Sequence, residues 1–164
     1  MTTILAIDPC AEREVSNTGW AYGRFDDNTP YEFLAGGVVE GGFGGLSQAL
    51  QPGTPVYSRW GQFQDFLVAN ADIVVVEHFV HYNRAGDATP LLAEGVVRHL
   101  RPDAVLQPSS VLQYVTDGQL KALGLYVTLG HHKDRNSAVK HALAYLRNQY
   151  HRPTLQALTF SRKY

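Results

Sequence analysis

Two short apolar runs, each ending in a carboxylate, constrain this chain more than any other feature. The first, Thr3-Ile4-Leu5-Ala6-Ile7-Asp8, stops at Pro9 and leaves no room for a helix, so Ile4 to Ile7 read as a buried central strand with Asp8 at its edge. The second, Ala71-Asp72-Ile73-Val74-Val75-Val76-Glu77, has the uninterrupted β-branched core of a strand covered on both faces. A carboxylate in such a place costs several kcal/mol to desolvate unless it is paired, protonated or bound to a cation. Further along, His131-His132-Lys133-Asp134 leads into Arg135 to Leu146, a helical pattern. His131 and Asp134 are three apart and share a face once that first turn forms. Two strand-end carboxylates with an acid and an imidazole at a helix start point to a cation site.

The segments between these anchors fix a topology. Thr18 to Phe25 and Tyr31 to Val39 read as strands joined by the turn Asp26-Asp27-Asn28-Thr29-Pro30, which makes an antiparallel meander with the first run. Gly41-Gly42-Phe43-Gly44-Gly45 is glycine-rich but completes neither a dinucleotide fingerprint nor a phosphate-binding loop. Val56, Trp60, Phe63, Phe66 and Leu67 form a helical stripe before the run that ends at Glu77, so the chain crosses over and pairs that run parallel to the first. As neighbours, the two strands bring Asp8 and Glu77 together.

His78 to Thr89 is a polar loop with Phe79, Tyr82, Asn83 and Arg84. Pro90 suits the first turn of a helix running to about Leu100, in which Ala93 and Gly95 permit close packing against another helix, in the same chain or a second subunit. Asp103 to Gln107 is a fifth strand, and Ser109 or Ser110 is placed to cap a short helix through Val115. Asp117-Gly118 breaks that helix, which resumes from Leu120 to Leu125, and the last helix runs from about Lys133 to Asn148. Arg152-Pro153 is expected to end ordered helix.

The chain has 164 residues, 45% of them hydrophobic, enough for one domain with its own core. No run approaches the roughly 20 apolar residues of a membrane helix, and a cytoplasmic location is the simplest expectation. The single cysteine, Cys10, excludes an internal disulfide and a cysteine-based zinc site. The formal charge is only -1, yet residues 131–164 carry seven basic side chains against Asp134 alone, while the first 130 carry seven basic and 14 acidic groups. Such a basic quarter suits a phosphate backbone, although a solvated helix face explains the charge equally well.

In their order and spacing, Ile4-Leu5-Ala6-Ile7-Asp8-Pro9, Thr18-Gly19-Trp20-Ala21, Val74-Val75-Val76-Glu77, Leu91-Leu92-Ala93-Glu94-Gly95-Val96-Val97, Gln107-Pro108-Ser109-Ser110-Val111 and His131-His132-Lys133-Asp134 resemble the RuvC family of Holliday junction resolvases, especially its small phage-type members. The resemblance implies a ribonuclease H-like α/β fold over residues 1–150. Its five-stranded mixed sheet has strands 1 to 3 antiparallel and strands 4 and 5 parallel to 1, flanked by helices, with residues 151–164 as a basic tail. It further implies a homodimer that cuts branched DNA with magnesium, or manganese in its place, acting in the host cytoplasm if phage-encoded. Carried over residue by residue, the catalytic and metal-binding positions are Asp8, Glu77, His131 and Asp134, with His132 an equal competitor for His131. Phe79 and Asn83 match the family's loop with a one-residue shift.

That chemistry suits these residue types. Phosphodiester hydrolysis needs an in-line water and a stabilised leaving oxygen, which two divalent ions roughly 4 Å apart provide. Magnesium and manganese prefer carboxylate oxygens, as Asp8, Glu77 and Asp134 offer, and a neutral imidazole at His131 fits either a ligand or a water-positioning role. Phe79 and Tyr82 suit stacking on unpaired bases. Asn83, Arg84, Lys121, Lys133, Arg135 and Lys140 suit contacts with the DNA and its phosphates. Three rivals remain at this point: a flap, single-strand or RNA-DNA hybrid nuclease on the same scaffold, a non-catalytic junction-binding protein, and an actin-like ATPase, which needs phosphate loops that this chain lacks.

Overall fold

The computed structural model describes residues 1–9, 17–41, 45–47, 63, 66–79, 89–128 and 133–160. Among them, strands β1 (Thr2–Asp8), β2 (Asn17–Asp26) and β3 (Thr29–Glu40) form the antiparallel meander, and β4 (Ile73–His78) and β5 (Val105–Pro108) extend the sheet on the other side of β1. The order is β3-β2-β1-β4-β5, with β1, β4 and β5 parallel. Helices among the described residues include α1 (Thr89–Leu100), α2 (Asp117–Ala122), α3 (Lys133–Asn148) and α4 (Arg152–Phe160). No helix among the described residues is long and apolar enough to cross a membrane.

Period-two alternation along the central strands makes two cores. Ile4 and Ala6 of β1 and Val75 of β4 pack with Ala138, Val139, Ala142 and Leu143 of α3. Leu5 and Ile7 pack on the opposite face with Val74, Val76, and with Ala93 and Val97 of α1. Asp8 and Glu77 continue the first series, so both turn toward α3. The opposite end of this strand pair is tied by Asp72, whose Oδ2 accepts the Thr3 N–H at 2.7 Å. With the register held at Ile4–Ile73 through Ile7–Val76, Asp8 and Glu77 come one step later on neighbouring strands.

The crossover expected over Val56–Ala69 is described at Phe63 and from Phe66 onward. Phe66–Asn70 is a π-helical turn, Phe63 and Leu67 are buried, and Phe66 stacks on Tyr22 with ring centroids 4.0 Å apart. Three local expectations are corrected. Ser109–Tyr114 is a 3₁₀ helix whose cap position is Pro108, with no side-chain cap, so neither Ser109 nor Ser110 serves that role. Asp117 and Gly118 open α2 rather than break a helix, because Thr116 before them and Gln119 after them form a capping box. Arg152-Pro153 begins α4, since a proline in the first turn forfeits no intrahelical bond. This helix is docked: Thr154 and Leu158 are buried, and Thr154 Oγ1 accepts the Tyr31 N–H at 3.1 Å.

Gly19 lies opposite Asp8 in the β1–β2 ladder, and a Cβ there would collide with the backbone of Asp134 and Arg135. Its bare Cα lets the start of α3 lie directly on the sheet beside Asp8. Gly19→Ala is expected to cost about 1–3 kcal/mol by overpacking, lowering the melting temperature by a few degrees per kcal/mol in thermal unfolding.

Candidate metal centre

Three elements converge where β1 and β4 end. Asp8 and Glu77 project from the strand ends, and His141, fully buried, projects from the middle of α3. The three offer ligand atoms that lie within 4.8 Å of one another. Glu77 Oε2 is 2.8 Å from His141 Nε2, and the two carboxyl groups are hydrogen-bonded to each other. Behind the imidazole, Gln107 Nε2 is 2.9 Å from His141 Nδ1 and 3.1 Å from the His141 carbonyl oxygen. Gln107 pairs with Glu77 in the β4–β5 ladder, which places it beside the centre.

The electrostatics favour a proton or a cation at this point. Burial, above all, raises the Asp8 carboxyl well above its ordinary 3.8; the Glu77 carboxylate and the hydrogen bond between them push the same way, His141 opposes, and Asp134 adds to the rise. Glu77 is also raised by burial, with the Asp8 hydrogen bond opposing. Burial lowers His141 from 6.5 to about 4, against the pull of Asp8, so the ring is neutral at neutral pH. Two carboxyl groups forced together in low dielectric share a proton that a divalent cation would displace, and the hard oxygen pair suits magnesium or manganese. The residues present therefore fit the metal, with Asp8 and Glu77 as its oxygen donors and Asp134 near enough to influence Asp8.

Asp8 and Glu77 are thus brought together, and Asp134, in the first turn of α3, lies close by. His131, Tyr82, Asn83 and Arg84 lie outside the described residues, as does His132. His141 was not among the expected site residues, which placed the imidazole at His131. The sequence holds only a weak signal: His141 follows Asp134 by seven residues, two helical turns, but it stands among Ala138, Val139, Ala142 and Leu143 on the buried stripe, where a core histidine would stand as well.

The expected DNA contacts are more dispersed. Phe79 is half-buried just past β4, and Lys121 is exposed with its Nζ 4.7 Å from the Tyr126 ring centroid. Arg135 lies over the Phe33 ring at 4.3 Å, and Lys140 Nζ is 2.6 Å from Asp117 Oδ1. Lys133 opens α3.

No protein-family model and no curated protein matches the chain in sequence. In three dimensions it superposes on RuvC from Thermus thermophilus in complex with a Holliday junction substrate with a TM-score of 0.58 at 16% identity, covering 91% of this chain and 97% of that one. A second Thermus thermophilus RuvC structure gives a TM-score of 0.50 at 14% identity, covering 90% and 96%. The chain therefore has a mixed α/β fold of the ribonuclease H-like type, shared with these two RuvC structures.

The shifts carry opposite signs. A carboxyl whose folded pKa is raised contributes stability that is complete below its unfolded value of 3.8 and is lost as pH rises through the folded value, so ionising Asp8 destabilises the metal-free protein at pH 7. His141, lowered, contributes a loss of stability as pH falls from 6.5 to about 4. Asp8→Asn is expected to raise the metal-free melting temperature at pH 7 by ~3 °C, about 1 kcal/mol, and to abolish the increase that magnesium gives wild type. Differential scanning fluorimetry in EDTA and in magnesium reads both effects; a lower metal-free melting temperature for the variant contradicts the charge assignment.

Proposed function

We propose that this protein is a metal-dependent, structure-selective DNA endonuclease that hydrolyses phosphodiester bonds at Holliday junctions and related branched DNA. The observation that carries the proposal is the convergence of Asp8, Glu77 and His141 at the ends of two parallel strands, within a fold shared with RuvC. Two half-buried carboxyl groups held together at a cost in stability suit metal-dependent chemistry, which a purely binding role does not require. The assignment extends to a small phage-type resolvase working in the host cytoplasm.

In the mechanism, Asp8 and Glu77 would hold divalent cations, with Asp134 completing the acidic set from the start of α3. His131 keeps its proposed place beside Asp134. The bound ions supply an activated water and charge neutralisation at the leaving oxygen. Asp8, on the central strand and between Glu77 and the start of α3, would be the carboxylate shared by the acidic set. His141 Nε2 meets Glu77 Oε2 and fixes the carboxylate from behind. Phe79, one residue past the end of β4, and Tyr82 are proposed to stack on bases unpaired at the branch. Asn83, Arg84, Lys121, Lys133, Arg135 and Lys140 are proposed to contact the strands entering the centre.

A junction presents two strands to be cut, which calls for two centres. Helix α1 is proposed as the homodimer seam: Leu92 is 54% exposed, and among the described residues nothing lies within 4 Å of a Cβ added at Gly95. Leu92→Glu is expected to convert a dimer to a monomer in light scattering, with cleavage of a linear single strand changed less than cleavage of a junction.

The direct test uses end-labelled four-way junctions, flaps, RNA-DNA hybrids and linear duplexes with magnesium, manganese or EDTA. Glu77→Gln and Asp8→Asn are each expected to reduce junction cleavage by more than ~100-fold while junction binding persists, since loss of even a supporting partner at a metal site costs 10–100-fold. Preference for flaps or hybrids over junctions would reassign the substrate. Binding of branches without cleavage in either metal would leave a junction-binding protein.

A further inference from the structure

The contacts around His141 settle which of its nitrogens carries the proton. Gln107 Nε2 lies 3.1 Å from the His141 carbonyl oxygen, which can only accept, so the amide nitrogen and not the amide oxygen must face it. The same Nε2 is 2.9 Å from His141 Nδ1. An amide nitrogen is only a donor, so Nδ1 must be the bare, accepting nitrogen. Both Gln107 hydrogens are thereby used, one on the ring and one on the backbone of the same residue. The Nδ1–H tautomer and the imidazolium are both excluded by this geometry, because each would set two donors against one another. The ring proton then sits on Nε2 and points at Glu77 Oε2, 2.8 Å away.

We propose that Gln107 is a positioning residue that locks His141 as an Nε2–H donor to Glu77, so that His141 orients a carboxylate ligand rather than binding the metal itself. This rests on the metal centre proposed above and refines the role of its imidazole. A histidine that ligates through Nε2 needs Nδ1–H and an acceptor behind it. Here the group behind the ring is a donor. Turning the amide over would place its oxygen against the His141 carbonyl oxygen, and Gln107 is buried at 4% exposed, so that the clash and the lost bond are costly. With Oε2 held by the imidazole, Glu77 presents Oε1 to the cation, and the ligand set becomes all-oxygen. Such a set favours magnesium over softer ions such as zinc.

Nitrogen-15 correlation NMR of the ring nitrogens reads the lock in the full-length protein without DNA. Wild type is expected to show Nδ1 unprotonated and Nε2 protonated as a single tautomer, unchanged when magnesium saturates the site. Gln107→Met preserves the volume but removes the donor; it is expected to release the tautomer into a mixture and to weaken magnesium binding by calorimetry ~10–100-fold. Gln107→Glu supplies an acceptor and is expected to draw the proton to Nδ1. A wild-type Nδ1–H, or an Nε2 that loses its proton as magnesium is added, overturns the proposal and makes His141 a ligand. An unaltered tautomer in Gln107→Met also overturns it. The readout is independent of cleavage: Nε2–H in a protein that cuts nothing supports the lock while the nuclease assignment fails, and Nδ1–H in an active nuclease does the reverse.

Discussion

The parallel pairing of β1 with β4 is the constraint from which the rest of the molecule follows. Each strand is covered on both faces, so each must be apolar until it ends, and the first position at which a polar group is tolerated is the carboxyl end. Thr3 and Asp72 pin the register at the other end of the pair. Asp8 and Glu77 therefore become neighbours on the face that α3 covers. Their proximity is imposed by the sheet and is unfavourable in itself, which is why both carboxyl groups are raised above their ordinary values. Helix α3 answers with a neutral imidazole instead of a cationic partner.

The placement of α3 depends in turn on an absence. Gly19 stands across from Asp8, and with no Cβ in the way the first turn of the helix rests on the ladder, while Ala138, Ala142 and Ala144 keep its buried face close to the sheet. Small residues on both sides convert sheet-helix packing into the geometry of the candidate metal centre. Two turns beyond Asp134 the same face delivers His141, and the β5 strand, by pairing Gln107 with Glu77, supplies the group that orients it.

The parts legible in the sequence were those governed by local periodicity. The apolar runs of β1 and β4, the meander, and helices α1 and α3 emerge within a residue or two of their expected limits, and the strand-helix-strand rule was enough to bring Asp8 to Glu77. His141 was not legible as a site residue because its role is tertiary: a histidine on an alanine-rich helix face looks like core filling until the strand beneath it is known. Helix α4 was obscured by Arg152-Pro153, where one dipeptide signals equally a helix end and a helix start. What decides between them is the docking of Thr154 against β3, which no local pattern contains. The capping box at Thr116 is local, but it was outweighed by the more conspicuous Asp117-Gly118.

Charge is where local inspection misleads most. The basic C-terminal quarter suggests a phosphate track, yet much of its positive charge is spent inside the molecule. Lys140 pairs with Asp117 and so joins α3 to α2; Arg147 lies over the Tyr114 ring and donates to the Tyr114 carbonyl oxygen at 3.0 Å; Arg135 covers Phe33. Each long side chain contributes its apolar stem to packing as well as its charge. Contacts of this kind hold α3 against the elements around it and thereby hold His141 against Glu77. A substitution at Lys140 or Arg147 acts on the centre through the position of that helix, whereas a cation that does nothing but follow phosphate leaves the helix where it is. The two kinds of basic residue are distinguished by whether their loss moves the Glu77–His141 contact, and net charge along the sequence carries no information about that distinction.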